Sequence, residues 1–335
     1  MYNFQFSIFH SPFSIYLYFC GIESMPKTMK KLFSTLWMMS LIMLAAAQDP
    51  YEQFYDDLHK GDTTAMTASI LKIRNMNEQT AERYVAEYNY YYNLSKTQSG
   101  MVSSVEPPSE ADGVQGEVYT LTDSTGAVAG YMYYAQRWDF ARVDSALDVI
   151  SRGIALFPDR LDMWYGKIHL LQELCRWNVF ADEIHALLDR TTQNKLQWQW
   201  PNNNAPMEEV VTDGIFDYEK ELFMAAVNDE NADKMQQKIL LLRGIAEDLY
   251  HHFPKYVQNI NVIAATYQVL EDRSAALTWL LKAEKVAPHD GVVLSNIADT
   301  YYMLGDSKNE RKYLKKVIKY GTPEEKERAK SFLKE

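Results

Sequence analysis

Asp182, His185 and Asp189 recur at intervals of three and four residues, so on a helix they share one face, and two carboxylates around an imidazole can chelate a divalent cation. His251-His252 could supply a second imidazole pair, although their place just before Pro254 suits histidines that meet the exposed carbonyls of a helix C-terminus. Cys175, the only thiol after Cys20, lies in an apolar helical pattern and reads as a small buried residue rather than a nucleophile. Trp198 and Trp200 stand in the polar run Trp198-Gln199-Trp200-Pro201-Asn202-Asn203-Asn204, where flat rings could stack on sugars, anchor a partner or fold back over the protein's own apolar edge. No Gly-x-Ser-x-Gly, phosphate-binding glycine loop, dinucleotide fingerprint, His-Glu-x-x-His or Cys-x-x-Cys occurs. No metal, cofactor or catalytic constellation is expected, and the chemistry on offer is that of binding.

These groups belong to a chain of 335 residues, 47% of them apolar, with 14 glycines, 11 prolines and two cysteines. That is enough for a packed core and too little glycine, proline or cysteine for a collagen, a disordered polymer or a disulfide scaffold. Acidic residues outnumber basic ones 45 to 34, and the net charge of -11 repels a phosphate backbone, which argues against nucleic acid as a partner. The 23 tyrosines and 15 methionines suit helices packed through large and flexible side chains.

Met29-Lys30-Lys31 precedes an apolar run over 32–44 that is short for a membrane span, and Ala45-Ala46-Ala47 then gives way to Gln48-Asp49-Pro50. This is the layout of a secretory signal peptide over 29–47 with cleavage before Gln48. It predicts export to a bacterial periplasm, cell surface or medium. No cysteine follows the cleavage point, which disfavours a lipoprotein anchor, and no stable membrane anchor is expected after cleavage. Residues 1–28, rich in Phe and Tyr and without a basic residue before Lys27, read as an extension upstream of the true start. A membrane-associated aromatic segment is the alternative.

The segment 260–288 lands on itself after a shift of 34 residues: Ile260 on Leu294, Ile263-Ala264 on Ile297-Ala298, Tyr267 on Tyr301, Leu270 on Leu304, Leu280 on Leu314, Ala283 on Val317. With Ala276 and the closing Pro288, this pattern resembles the tetratricopeptide repeat (TPR). The resemblance implies an all-α fold, a TPR-like α-solenoid of antiparallel helix pairs. Ala264 and Ala298 would mark the close crossing of two helices, with Tyr267 and Tyr301 filling the space beside it. In the last repeat Glu310 replaces alanine and Pro323 comes one residue late, as suits an end unit facing solvent.

The clearest repeats span 257–288 and 291–322. Ala146, Ile150, Gly153 and Pro158, followed by Trp164, Ile168 and Leu171, form a weaker copy, which predicts a repeat pair over roughly 139–189 with its last helix over 178–189. Residues 214–228 and 234–253 read as a long degenerate hairpin in which Leu240, Leu242, Ala246 and Leu249 keep helical spacing. Upstream, 63–74 and 78–94 read as helices, and Tyr84, Tyr88 and Tyr91 look like half of a worn repeat. Residues 95–116 are rich in Ser, Gly, Pro and Glu and read as a linker, while 117–122 and 127–134 flank a turn as a small β-hairpin insertion. The expected organisation is thus an N-terminal helical region with linker and hairpin over 48–138 and a solenoid with a C-terminal capping helix over 139–335.

What the resemblance implies about function is a binding mode, a protein or peptide segment laid in the groove of the first helices. Tyr165, His169, Asn261, Ala265, Ser295 and Asp299, one residue or more past the inward positions Trp164 and Leu294, would line that groove, and Asp162, Gln172, Glu173, Gln268 and Tyr302 would extend it. None is Lys or Arg, so a neutral or basic ligand is expected. Residues 158–167 mix charge and aromatics, either as a contact patch or because Asp159 or Asp162 caps a helix. An exported, non-catalytic scaffold is the reading that follows. Its rivals are a glycan-binding module that uses the Trp198 and Trp200 loop and an enzyme with a site at the hairpin and the insertion 191–211.

From Lys308 to Glu335 there are ten basic and five acidic residues, a reversal of the chain's balance. Such an end could touch anionic lipid, or form a solvated cap in which Glu324, Glu325 and Glu327 interleave with Lys326, Arg328 and Lys330.

Overall fold

The computed structural model describes residues 49–108, 113–201 and 204–334, so the signal-peptide and start-site expectations, which fall on 1–48, lie outside the described residues. The described residues divide into two compact units, one ending at Phe157 and the other beginning at Pro158.

The first unit begins with α1 (Pro50–Lys60), α2 (Thr63–Asn75) and α3 (Ala81–Ser95). Asp62 and Thr80 start α2 and α3 by accepting hydrogen bonds from Ala65 N at 2.9 Å and Arg83 N at 3.3 Å. Phe54, Met66, Ile70, Ile73 and Ala86 form the core between these helices. Asp57 is buried beside it and is satisfied by Ser69 Oγ at 2.6 Å and Gln53 Nε2 at 2.8 Å.

A three-stranded antiparallel sheet follows, β1 (Lys96–Ser104), β2 (Val114–Thr122) and β3 (Val128–Trp138), in the order β1-β3-β2. The expected hairpin is β2–β3, closed where Asp123 Oδ1 accepts from Thr125 N at 2.8 Å and Ala127 N at 3.0 Å. The expected linker over 95–116 instead contains β1. Its Ser and Gly content hides a strand that pairing with β3 completes, Met101 opposite Tyr134.

Helix α4 (Phe140–Leu156) returns from the sheet to pack on α3. Asp139 N donates to Ser95 O at 2.8 Å and Arg142 Nη1 to Leu94 O at 2.9 Å, which pins the start of α4 to the end of α3. The sheet therefore stands where a helix hairpin has its turn. The half repeat of Tyr84, Tyr88 and Tyr91 finds its second half in the buried Ala146, Ile150 and Gly153. This corrects the expected pair over 139–189 and the expected division at 138: α4 closes the first unit, and the division falls between Phe157 and Pro158.

The second unit contains α5 (Leu161–Glu173), α6 (Trp177–Asn194), α7 (Met207–Val227), α8 (Ala232–His252), α9 (Val257–Val269), α10 (Arg273–Val286), α11 (Gly291–Met303), α12 (Ser307–Tyr320) and α13 (Pro323–Lys334). Helices α5–α6, α7–α8, α9–α10 and α11–α12 pair as hairpins, successive hairpins stack, and α13 packs on α12, which makes this unit a TPR-like α-solenoid. Ile260, Ala264, Leu280, Ala283, Leu294, Ala298, Leu314 and Val317 share one buried cluster, so the residues matched by the period are those that pack. In α8 the buried stripe is Ile239, Leu242, Ala246 and Leu249, and Leu240 is exposed, a correction of one residue to the predicted face.

The caps repeat as well. Asp272 and Asp306 accept from Ala275 N and Asn309 N, each at 3.0 Å. Thr322 and Glu325 form a reciprocal capping box, Thr322 N to Glu325 Oε2 at 2.7 Å and Glu325 N to Thr322 Oγ1 at 3.3 Å. Thr322 therefore occupies the place of the repeat's proline as the N-cap of α13, and Pro323 follows where proline is favoured, in the first turn.

Three hairpin turns share a left-handed residue at the same repeat position: Gly305 at φ 75°, Glu271 at φ 61° and Cys175 at φ 52°. Cys175 is thus a half-buried turn residue and not a helical core position, because the chain must reverse there. Only glycine takes this conformation without steric cost. Glu271→Gly is expected to stabilise the protein by about 1 kcal/mol, less the extra entropy of the unfolded glycine chain. A urea midpoint that does not rise would show that the turn is relaxed in solution.

Candidate protein-binding surface

Successive first helices of the second unit are bridged by side-chain hydrogen bonds. Tyr165 Oη on α5 donates to Val210 O on α7 at 2.9 Å, and Tyr218 Oη on α7 donates back to Tyr165 O at 3.2 Å. Tyr256 Oη, at the start of α9, donates to Asp213 Oδ1 on α7 at 2.7 Å. Between α9 and α11, Asn296 Nδ2 donates to Asn261 Oδ1 at 3.1 Å and Gln268 Nε2 to Thr300 Oγ1 at 2.8 Å. Arg328 of α13 reaches Asp299 Oδ2 of α11 at 3.5 Å. Several predicted groove residues thus take part in holding the structure together.

Tyr165 requires correction as a groove residue. It is 9% exposed, packed against Trp200 and Tyr218, and lies over Gly214, where a Cβ would collide with its hydroxyl. Burial pushes its phenol well above the usual tyrosine range. The position after Trp164 faces the next first helix rather than solvent. Asp162 also requires correction: Arg160 Nε and Nη2 hold it at 2.9 and 2.8 Å in a nearly buried pair. Neither Asp159 nor Asp162 caps α5, since Asp159 instead accepts from Arg190 Nη2 at 2.8 Å and Asn194 Nδ2 at 3.0 Å.

The other predicted residues lie nearer solvent. His169 is exposed, 3.7 Å from Glu173 Oε1, and Gln172, Asn261, Ala265 and Gln268 are half-buried. On α11, Val292, Ser295, Asp299, Tyr302 and Met303 fall on one helical face, with Tyr302 70% and Val292 54% exposed. Burial raises the pKa of Asp299, with Arg328 opposing the shift. The α11 face combines apolar rims with hydroxyl and carboxylate groups.

The tryptophan loop folds back on the protein. Trp198 is 6% exposed, donates from Nε1 to Thr191 Oγ1 at 3.3 Å and meets Trp164 edge-on. Gln199 fixes the loop through Gln199 N to Asp159 O at 2.7 Å and Leu161 N to Gln199 O at 3.0 Å. This corrects Trp198 as part of a stacking platform, because it is buried against Trp164, while the half-buried Trp200 packs against Tyr165.

Among the described residues, no three His, Cys, Asp or Glu groups converge as a metal site. Asp248, which the sequence pattern did not single out, links two of the predicted histidines: its oxygens lie 2.7 Å from His185 Nδ1 and 3.5 Å from His252 Nε2. The hydrogen bond with Asp248 raises the His185 pKa, which favours the charged imidazole beside that carboxylate. Glu219 was also missed. It lies 1% exposed on α7 with no hydrogen-bond partner for either oxygen, and the detectable signal was an acid on the apolar stripe Val211, Ile215, Leu222 and Ala226.

No family model and no curated protein matches the chain. Among solved structures it is similar to a thermophilic TPR protein of Thermus thermophilus, with 16% identity, 58% of this chain and 92% of that one covered, and a TM-score of 0.37. It is also similar to a tetratricopeptide repeat protein of Parabacteroides merdae, with 11% identity, coverage of 82% and 81%, and a TM-score of 0.34. MamA from Desulfovibrio magneticus shows 12% identity, coverage of 53% and 84%, and a TM-score of 0.32. The fold assignment rests on the chain's own 34-residue register and hairpin packing.

Proposed function

We propose that the protein is an exported, non-catalytic scaffold that holds a segment of another protein across the first helices of its solenoid. The observation that carries this reading is the α11 face, where apolar Val292 and Tyr302 stand exposed around Ser295 and Asp299, while the equivalent positions of α9 hold the exposed but polar Gln258 and the half-buried Asn261, Ala265 and Gln268. A large ring at 70% exposure costs solvation in the free protein and gains it back when a partner covers it. Asp299 and the exposed Asp213 and Asp217 favour a neutral or basic segment.

A photo-crosslinking side chain at position 302, with a second at position 315 on the opposite helix as control, tests this in the producing cell. One protein adduct is expected at 302 and not at 315. The double variant Val292→Glu, Tyr302→Ala should lose capture at least tenfold, the loss of about 1.4 kcal/mol or more, with an unchanged melting curve because both residues are exposed. Retention of the partner by that variant would overturn the reading.

A further inference from the structure

The second-helix side of the last repeat carries a charge pattern that the proposed groove does not use. Lys308, Arg311, Lys312, Lys315 and Lys319 of α12 are exposed, and their spacing places all five on the face opposite the buried Tyr313, Leu314 and Val317. Among the described residues no carboxylate lies within ion-pair distance of these five. Lys312 and Lys319 stand beside the rings of Tyr313 and Tyr320, while Glu284 of α10 is taken by Lys316 and by Tyr313 Oη.

Arg311 and Lys315 lie one period after Leu277 and Leu281, which pack into the cluster shared by α10 and α12. An end unit must make its stacking positions polar, since no further repeat covers them. That requirement fixes polarity and leaves the sign open. In a chain with 45 acids to 34 bases, acids would be the commoner replacement, yet the face holds five cations and no acid. Glu310, the one acid of α12, points away from it at half burial.

We propose that this face of α12 docks the protein reversibly on an anionic lipid bilayer. Each lysine or arginine near such a surface contributes about 1 kcal/mol, within roughly a Debye length. The apolar side of α12 is consumed by the core, so the contact is electrostatic and does not insert. Exposed Tyr320, stacked on His289 with ring centroids 4.1 Å apart, places an aromatic pair at the edge of the cationic face. A flat bilayer meets this face alone, whereas a nucleic acid that wraps the protein also meets the rest of a chain of net charge -11. The choice of lipid over nucleic acid rests in addition on the export reading. Docked this way, the α11 face remains outside the contact.

Co-sedimentation of the full chain with phosphatidylcholine vesicles, with and without phosphatidylglycerol, tests the proposal, and the difference between the two cancels any contribution of the apolar run 32–44. Binding is expected to be stronger on the anionic vesicles and to fall with added salt. Lys315→Gln should weaken the anionic component about fivefold. The triple variant Lys312→Glu, Lys315→Glu, Lys319→Glu should lose it, with unchanged circular dichroism and melting. Equal binding to both vesicle types, or full binding by the triple variant, overturns the proposal. So does charge-dependent retention on duplex DNA without binding to anionic vesicles. The Val292→Glu, Tyr302→Ala variant should still bind vesicles and the triple variant should still capture the partner, so the two readings fail separately.

Discussion

Replacing Glu219 by methionine raises the stability of the protein at neutral pH by about 1–3 kcal/mol, the penalty of a buried polar group left without a partner. The carboxyl sits on α7 among Val211, Ile215, Leu222 and Ala226, at 1% exposure and with both oxygens unpaired. On the adjoining helix α8, Lys238 is committed to Asp229 and Ala225 O, and Arg243 to Thr266 and the face of Tyr267. Tyr256 of α9 and Asp213 and Asp217 of α7 add no positive charge.

Burial therefore holds the Glu219 pKa well above its ordinary value of 4.5, so the folded protein keeps the proton to higher pH than the unfolded chain does. The unfolded chain releases it near 4.5, so above that pH the unfolded state binds fewer protons and stability falls as pH rises toward the folded-state value. The methionine variant lacks this slope. Urea midpoints of the two proteins should lie closest at acid pH and separate toward neutrality. Parallel profiles would mean that Glu219 finds a hydrogen-bond partner in solution.

Tyr165→Ala should destabilise the second unit by about 3–5 kcal/mol, the range for emptying a buried aromatic site. The ring contacts Trp200 and Tyr218, its hydroxyl holds Val210 O, and Gly214 leaves α7 open to receive it. Tyr165→Phe should cost about 0.5–1.5 kcal/mol, the share of the hydroxyl hydrogen bond. The ratio of the two effects separates packing from polar bridging. An alanine variant of unchanged stability that loses partner capture would return Tyr165 to the groove. With the predicted loss, any capture defect of this variant follows from unfolding, which is why Val292 and Tyr302 carry the functional test.

The solenoid was legible because its contacts are short in sequence. Ile260, Ala264, Leu280 and Ala283 meet within one hairpin or its neighbour, and the same types return 34 residues later. The caps Asp272 and Asp306 and the turn residues Glu271 and Gly305 follow the same register. The groove proposed for the partner was predicted only as a strip of helix positions. Of those positions Tyr302 is exposed and Ser295 half-buried, while Tyr165 and Asp162, and Trp198 of the loop, are drawn into contacts with side chains or backbone that the repeat pattern does not encode.

By itself the sequence determined the helical period, the paired alanines Ala264 and Ala298, the hairpin at 117–134 and the basic balance of 308–335, because each is written in local spacing or content of side-chain type. Tertiary structure alone decided that α4 joins α3 across an inserted sheet, that β1 pairs with β3, and that Glu219 is closed off from water. A step of one residue turns a helix position by about 100°, so whether a side chain meets solvent or the next helix depends on how that helix is rotated against its neighbours. Packing sets that rotation, and the linear pattern records only which faces are apolar.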